Sequence, residues 1–140
     1  MAAMILTVAL AVPAAAQQQV PFKGAMQGYD VDTPGPSPGT VVVTTSGTGV
    51  ATHLGQFSFT QQNTVNLVAK TSAGSARWVA ANGDSIDTTV AGSAEPTSTS
   101  GVFSITEVHT ITGGTGRFAG VQGSFTVERL QSGITFLTSG

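Results

Sequence analysis

The sequence predicts an all-β protein, a small antiparallel up-and-down β-barrel of about eight strands, with or without its last strand. Apolar and polar residues alternate in repeated short runs, and no segment keeps a helical apolar period over three turns. The 140 residues suit one domain, and 18 of them are glycine, with many Thr, Ser and Val. Only 9% of residues are charged, and closure into a barrel would protect such a sheet from edge-to-edge aggregation.

The first residues, 1–16, are predicted to be a secretory signal peptide. An apolar run over 4–12 precedes Pro13 and three alanines, which form an A-x-A-like cleavage site. The run is too short to cross a membrane as a helix, and no Lys or Arg precedes it. A buried strand or helix of the domain is the alternative. We therefore expect a secreted or periplasmic mature chain, 17–140, that forms a single barrel without a membrane span.

The strands of the barrel are predicted from this alternation and from the turn residues between them. We place them at 21–29, 40–52, 55–69, 75–81, 84–94, 102–112 and 121–130, with a further strand beginning near Ile134. Residues 32–40 and 95–101 are predicted loops, since they are rich in Pro, Gly and Ser. Asn82 and Gly83 predict a two-residue hairpin turn in which both residues have positive φ. If the barrel lacks its last strand, a partner chain would cover the open edge.

Residues 111–123, ITGGTGRFAGVQG, are the most glycine-rich stretch. A phosphate-binding loop needs a lysine and a following helix, and neither is present. No aspartate is available for calcium. We therefore predict a structural turn at Gly113, Gly114 and Gly116, in which glycine supplies positive φ.

The predicted strand 102–112 carries the main candidates for chemistry. One face holds two titratable groups, Glu107 and His109, among three large apolar residues, Phe103, Ile105 and Ile111. If that face points inward, the two groups are the best acid–base pair in the chain. The opposite orientation, with Val102 and Val108 inside, stays open, although the larger apolar residues favour the first.

The next strand, 121–130, supplies a partner for this pair. Phe125, Val127 and Arg129 share a face, so an inward Phe125 places Arg129 near the inner rim, within reach of Glu107. Our predicted catalytic residues are therefore Glu107, His109 and Arg129.

Three aromatic residues, Trp78, Phe103 and Phe125, are the predicted ligand-binding side chains. For Trp78, the filling of a core is the more common use. Two histidines without a ligand spacing, and no cysteine, predict no metal site. A net charge of −2 leaves no basic excess to bind a phosphate backbone, so we expect no nucleic acid as a partner. We also expect no cofactor.

Three segments, TITGGTGRFAGVQGSFTVERL, ARWVAANGDSIDTTVAG and GTGVATHLGQFSF, resemble the allene oxide cyclase and dirigent superfamily of β-barrels. The resemblance covers roughly residues 40–130. It implies an eight-stranded barrel with an apolar cavity, no cofactor, and often a trimer. Allene oxide cyclases convert an unstable fatty-acid epoxide into a cyclopentenone, and dirigent proteins orient phenoxy radicals as they couple.

The function expected from the barrel and from the resemblance is binding of a small apolar ligand in the lumen. The protein would then act as a cofactor-free isomerase or cyclase, or as a dirigent-like orienting protein, in a homo-oligomer such as a dimer or trimer. The alternative is a non-catalytic secreted module that acts through its surface or its oligomer interface. The resemblance places no catalytic residue on this chain, so Glu107, His109 and Arg129 rest on the analysis of strand faces alone.

Overall fold

The protein is an antiparallel up-and-down β-barrel, as predicted. A computed structural model describes the backbone of residues 2–10 and 18–132, and the side chains of residues 22–132. Each strand pairs antiparallel with the next, and the first also pairs with the last, which closes the barrel. The strands are β1 (Ala2–Leu10), β2 (Gln18–Pro34), β3 (Thr40–Ala51), β4 (Gly55–Asn66), β5 (Thr71–Ala80), β6 (Ser85–Pro96), β7 (Val102–Gly114) and β8 (Val121–Ser132).

The number of strands in the barrel depends on segments near both ends of the chain. Strands β2 to β8 form one curled sheet, and β1 pairs with both of its edges. Strand β1 covers residues of the predicted signal peptide, whose removal from the mature protein stays a prediction. The further strand expected near Ile134 lies outside the described residues. The eighth strand of the structure is therefore Ala2–Leu10 and not a strand after β8.

The seven strands predicted between residues 21 and 130 are all present, with shifted ends. The largest shift is in β2, which continues to Pro34, so that the loop predicted over 32–40 is confined to 35–39. Its last residues stay extended because Asp32, Thr33 and Pro34 pair with β3.

The predicted geometry of the Asn82–Gly83 turn is wrong, although these residues do join β5 to β6. The connection runs over 81–84, and of the two residues only Gly83 has positive φ, at 92°. Asn82 instead uses its side chain: Oδ1 accepts a hydrogen bond from the Asp84 amide at 3.0 Å, and Nδ2 donates to the Asp84 carboxylate at 2.9 Å. This local bonding gives the turn an alternative to the two-residue form.

Alternation along each strand separates an apolar interior from an outer surface rich in Thr and Ser. The orientation of β7 that places Phe103, Ile105 and Glu107 inward is the one observed, since Val108 is exposed and His109 is buried. Strand β8 points Phe125 and Val127 inward, as predicted. The interior core comprises Phe22, Met26, Ala51, Leu54, Phe57, Phe59, Ala76, Trp78, Ala80, Ile86, Val90, Ile111, Phe118, Val121, Phe125 and Val127.

One end of the barrel is closed by the connection between β7 and β8. Residues Gly116–Phe118 form a short 3₁₀-helix that buries the Phe118 ring. The predicted turn is thus present, but Gly113 and Gly114 belong to β7 and pair with β6. Of the three predicted turn glycines, Gly116 lies in the connection, with φ at 58°.

Arg117 connects this short helix to the other turns at the same end of the barrel. Its Nη2 atom donates to the carbonyl oxygens of His53 at 2.9 Å and Leu54 at 3.3 Å, in the turn between β3 and β4. Its Nη1 atom lies 3.5 Å from the carboxylate of Asp84, in the turn between β5 and β6. The guanidinium also covers the Phe118 ring, 4.6 Å from its centroid. We call this group, Asp84, Arg117 and Phe118, the plug.

No helix within the described part of the chain is both long and apolar enough to cross a membrane.

Candidate functional site

A cavity of about 490 Å³ occupies the end of the barrel opposite the plug. It lies where β4 turns into β5 and β6 into β7, so the end of the barrel away from the plug is open. Its wall is apolar and its floor is polar. The wall is formed by Val43, Val65, Leu67, Phe103 and Ile105, and the floor by Asn63, Glu107, Arg129 and Gln131.

Glu107 is the centre of the floor, with only 1% of its surface exposed. Its carboxylate accepts hydrogen bonds from Gln61 Nε2 at 2.5 Å, Asn63 Nδ2 at 3.0 Å and Arg129 Nε at 3.0 Å. These donors stabilise the charged carboxylate in a place where an unpaired charge would be costly. Two of the donors bind Oε2 and the third binds Oε1, so Glu107 links β4 and β8 across the floor.

Arg129 is shared between two carboxylates. Its Nε atom donates to Glu107. Its Nη1 atom lies 3.7 Å from the carboxylate of Asp30 and donates to Gln131 Oε1 at 3.4 Å. Gln131 in turn donates to Asp30, which also accepts a hydrogen bond from Thr45 at 2.5 Å. The predicted Glu107–Arg129 pair is confirmed, and it is one part of a larger buried network that spans β2, β3, β4, β7 and β8.

The network needs space, which two glycines on β5 and β6 supply. A Cβ atom at Gly74 would lie 2.4 Å from Asn63 Oδ1 and 1.9 Å from the backbone oxygen of Gln62. A Cβ atom at Gly92 would lie 3.2 Å from Cγ of Glu107. Side chains at these inward positions would therefore displace the floor.

Below the floor, an aromatic cluster fills the middle of the barrel. Trp78 has no exposed surface, and its ring centroid lies 5.1 Å from that of Phe59, 5.2 Å from His109 and 5.4 Å from Phe125. His109 stacks on Phe125 with centroids 4.8 Å apart. These contacts favour the core-filling role for Trp78.

His109 is held in its neutral form inside this cluster. Thr88 Oγ1 lies 3.0 Å from His109 Nδ1 and accepts a hydrogen bond from Trp78 Nε1 at 3.3 Å. Burial lowers the pKa of His109 from 6.5 to about 4; Glu107 opposes this shift, and Arg129 adds to it. Nε2 is buried and has no hydrogen-bond partner among the described residues.

The predicted site residues are thus only partly brought together. Glu107, Arg129 and Phe103 line the cavity, whereas His109, Trp78 and Phe125 lie in the cluster beneath it and contribute nothing to its surface. His109 is completely buried, so a ligand in the cavity does not reach it.

The amide side chains of the floor, Gln61 and Asn63, were not among the predicted site residues. Gln61 and Asn63 share the inward face of β4 with the buried Phe57 and Phe59, so the period of two predicts that they also face inward. Gln131 follows Arg129 on the inward face of β8 and carries the same signal, but its bond to Asp30 carries none, because 101 residues separate the two in the chain.

Within the described residues, no group of three His, Cys, Asp or Glu side chains is placed to hold a metal ion. Comparison of the chain with protein-family models, with curated proteins and with solved structures finds no match. The cavity and its floor are therefore the basis for assigning a function.

Proposed function

We propose that the protein binds a small apolar molecule in the cavity at the open end of the barrel. The observation that carries this proposal is the form of the cavity. About 490 Å³ of space is enclosed by an apolar wall, and a few polar groups converge at one end. Pockets for small molecules have this size and composition, in which apolar side chains supply affinity and a few polar groups fix orientation.

Binding is supported better than acid–base chemistry. Glu107 borders the cavity, but its oxygens already accept bonds from Gln61, Asn63 and Arg129. His109 is neutral at physiological pH and is sealed below the floor. A general acid or base must lie within hydrogen-bond reach of the proton that it transfers, and His109 does not meet this condition. Conversion of the ligand, an allene oxide cyclase-like or dirigent-like role, secretion and oligomerisation stay predictions from the sequence.

The test is a pair of alanine-to-phenylalanine substitutions on the same strand, β6. Ala94 lines the cavity, and Ala91 lies on the exposed outer face. We expect Ala94→Phe to fill the cavity and to weaken binding of octanol by about tenfold or more, because the added ring competes with the ligand for space. Ala91→Phe makes the same chemical change outside the cavity, so its binding should equal that of the unaltered protein.

The measurement is isothermal titration calorimetry with octanol, on variants whose folding is verified by circular dichroism. Equal binding by the two variants would contradict the proposal, because it would place the ligand elsewhere. Failure of the unaltered protein to bind octanol, octylamine and octanoate would contradict it as well.

A further inference from the structure

We infer that Asn82 is a site of spontaneous covalent modification, and that its conversion loosens the plug. The site lies in the turn between β5 and β6, at the closed end of the barrel, so it does not depend on a ligand in the cavity. Three observations lead to it. The exposed Asn82 precedes a glycine, its side chain is bonded to Asp84, and Asp84 also pairs with Arg117.

The reaction is an attack by the backbone on the neighbouring side chain. The amide nitrogen of Gly83 forms a bond to Cγ of Asn82, and the bond from Cγ to Nδ2 breaks. The proton of the attacking nitrogen passes through solvent to the departing group, which leaves as ammonia. Water then opens the cyclic imide at either carbonyl and leaves aspartate or isoaspartate at position 82. No group is oxidised or reduced, and water is the only co-reactant.

Position 82 suits this reaction because the attacking nitrogen is unhindered. Asparagine is among the thermally labile residues, and Asn82 and Gly83 are both exposed. Gly83 carries no Cβ atom, and no atom of the protein lies within 4 Å of the place where one would stand. Of the other two asparagines, Asn63 is buried, and Asn66 is exposed in a turn but precedes Leu67. The leucine side chain hinders attack, so Asn66 is an internal control.

Asp84 restrains the reaction in the folded protein. Asn82 Nδ2 donates to the Asp84 carboxylate at 2.9 Å, and Asn82 Oδ1 accepts from the Asp84 amide at 3.0 Å, so the side chain is held at both ends. The attacking N–H group of Gly83 is itself bonded to the Ala80 carbonyl oxygen at 2.9 Å. The Asp84 carboxylate also opposes the negative charge that develops on the attacking nitrogen. The reaction should therefore be slow in the native turn, and faster without this carboxylate.

The same carboxylate connects the turn to the plug. Its Oδ2 atom accepts the bond from Asn82, accepts one from the Arg117 amide at 3.4 Å, and lies 3.5 Å from Arg117 Nη1. Conversion of Asn82 removes the Nδ2 donor and places a second carboxylate beside Asp84. Isoaspartate also lengthens the backbone by one carbon, inside a turn closed by the bond from the Ala80 amide to the Asp84 carbonyl oxygen. Both changes move Asp84 away from its position against Arg117.

Incubation of the unaltered protein at mildly alkaline pH tests the site, because the attacking nitrogen must lose its proton. Peptide mass spectrometry should show conversion at Asn82, and none at Asn66 in the same sample. Conversion at Asn82 that is no faster than at Asn66 would overturn the inference. This comparison needs no variant, so it does not depend on the folding of one.

Two variants test the restraint. Asp84→Ala removes the carboxylate that holds Asn82, and should speed conversion by about fivefold. Arg117→Ala breaks the same ion pair from the other side and leaves both bonds between Asn82 and Asp84, so its rate should stay within about twofold of the unaltered rate. Equal rates in the two variants would contradict restraint by the Asp84 carboxylate.

Hydrogen exchange tests the effect on the plug. Ion-exchange chromatography separates the converted protein, which carries an additional negative charge, from the unconverted protein. Exchange in residues 115–120 should be about threefold or more faster in the converted form, with no change in residues 61–65 at the floor of the cavity. Asn82→Gln keeps an amide but closes the corresponding ring much more slowly, so incubation should leave its exchange unchanged. Equal exchange in the converted and unconverted forms would overturn the connection to the plug.

Discussion

One end of this barrel is closed and the other is open, and the difference lies in the side chains that occupy each end. At the closed end, Phe118 is buried and Arg117 ties it to neighbouring turns. At the open end, apolar side chains such as Leu67, Phe103 and Ile105 line the interior without filling it, and a cavity of about 490 Å³ remains above a charged floor. The interior thus changes from a packed aromatic cluster to a lined cavity along a single barrel. Regular alternation builds the wall throughout, and the residues chosen for the inward positions decide whether an end is filled.

The largest effect is expected in the aromatic cluster that separates the ends. Trp78→Ala should lower the free energy of unfolding by about 3–5 kcal/mol, because it removes a fully buried ring from a packed core. Phe103→Ala, at the half-buried wall of the cavity, should cost only about 1–2 kcal/mol. Urea denaturation measures both. Equal losses would contradict the contrast between a packed middle and an open end.

The next effect concerns the floor. Arg129→Met should cost about 3 kcal/mol, since it leaves the buried Glu107 and the partly buried Asp30 without their cation. Adding Glu107→Leu to this variant should restore part of the stability, because one of the two stranded charges is removed. Urea denaturation of the single and double variants gives the coupling energy. A double variant less stable than Arg129→Met would show that the pair is not the source of the loss.

The pH dependence of stability tests the buried histidine. The pKa of His109 is lowered from 6.5 to about 4 in the folded protein, so the unfolded chain binds the proton more tightly. Stability should therefore fall as pH decreases from about 6.5 to about 4, by about 3 kcal/mol in all.

The contribution of His109 is separated from that of the carboxylates by two matched variants. His109→Gln should remove this part of the pH dependence, whereas His53→Gln, in an exposed turn, should retain it. Thermal unfolding over this pH range provides the comparison. An unchanged pH profile in His109→Gln would contradict the assignment.

The smallest effect is expected at the plug. Arg117→Ala removes the bonds to His53 and Leu54 and the ion pair with Asp84, but the side chain is partly exposed, so the cost should be about 1 kcal/mol. Hydrogen exchange should increase in residues 115–120 without a change at the cavity. The control, Arg77→Ala, breaks an ion pair on the outer surface and should leave the plug protected. Protection of 115–120 that survives Arg117→Ala would show that Phe118 alone holds the plug.

The sequence was sufficient for features that depend on local alternation. The strands, the inward face of β7 and the pairing of Glu107 with Arg129 all follow from a period of two and from adjacent strands. The rest depends on contacts that local patterns do not encode. Gln61 and Glu107 are 46 residues apart, and the angle at which Arg117 reaches His53 is set by the whole barrel.

The turn at Asn82 and Gly83 shows a second limit of prediction from the sequence. The dipeptide indicated a two-residue hairpin, but the bonds from the Asn82 side chain to Asp84 favour a longer connection. His109 shows a third: its inward direction was predictable, but its isolation from the cavity depends on Trp78 and Phe125, which come from other strands.

The most direct test of a ligand site at the open end is an NMR titration of the isotope-labelled protein with octanol. The methyl groups of Val43, Val65 and Ile105 line the cavity, and that of Leu54 is buried beside the plug. We predict saturable shifts of the first three with little change at Leu54. Shifts confined to the plug or to the outer surface, or no shifts at all, would contradict the account.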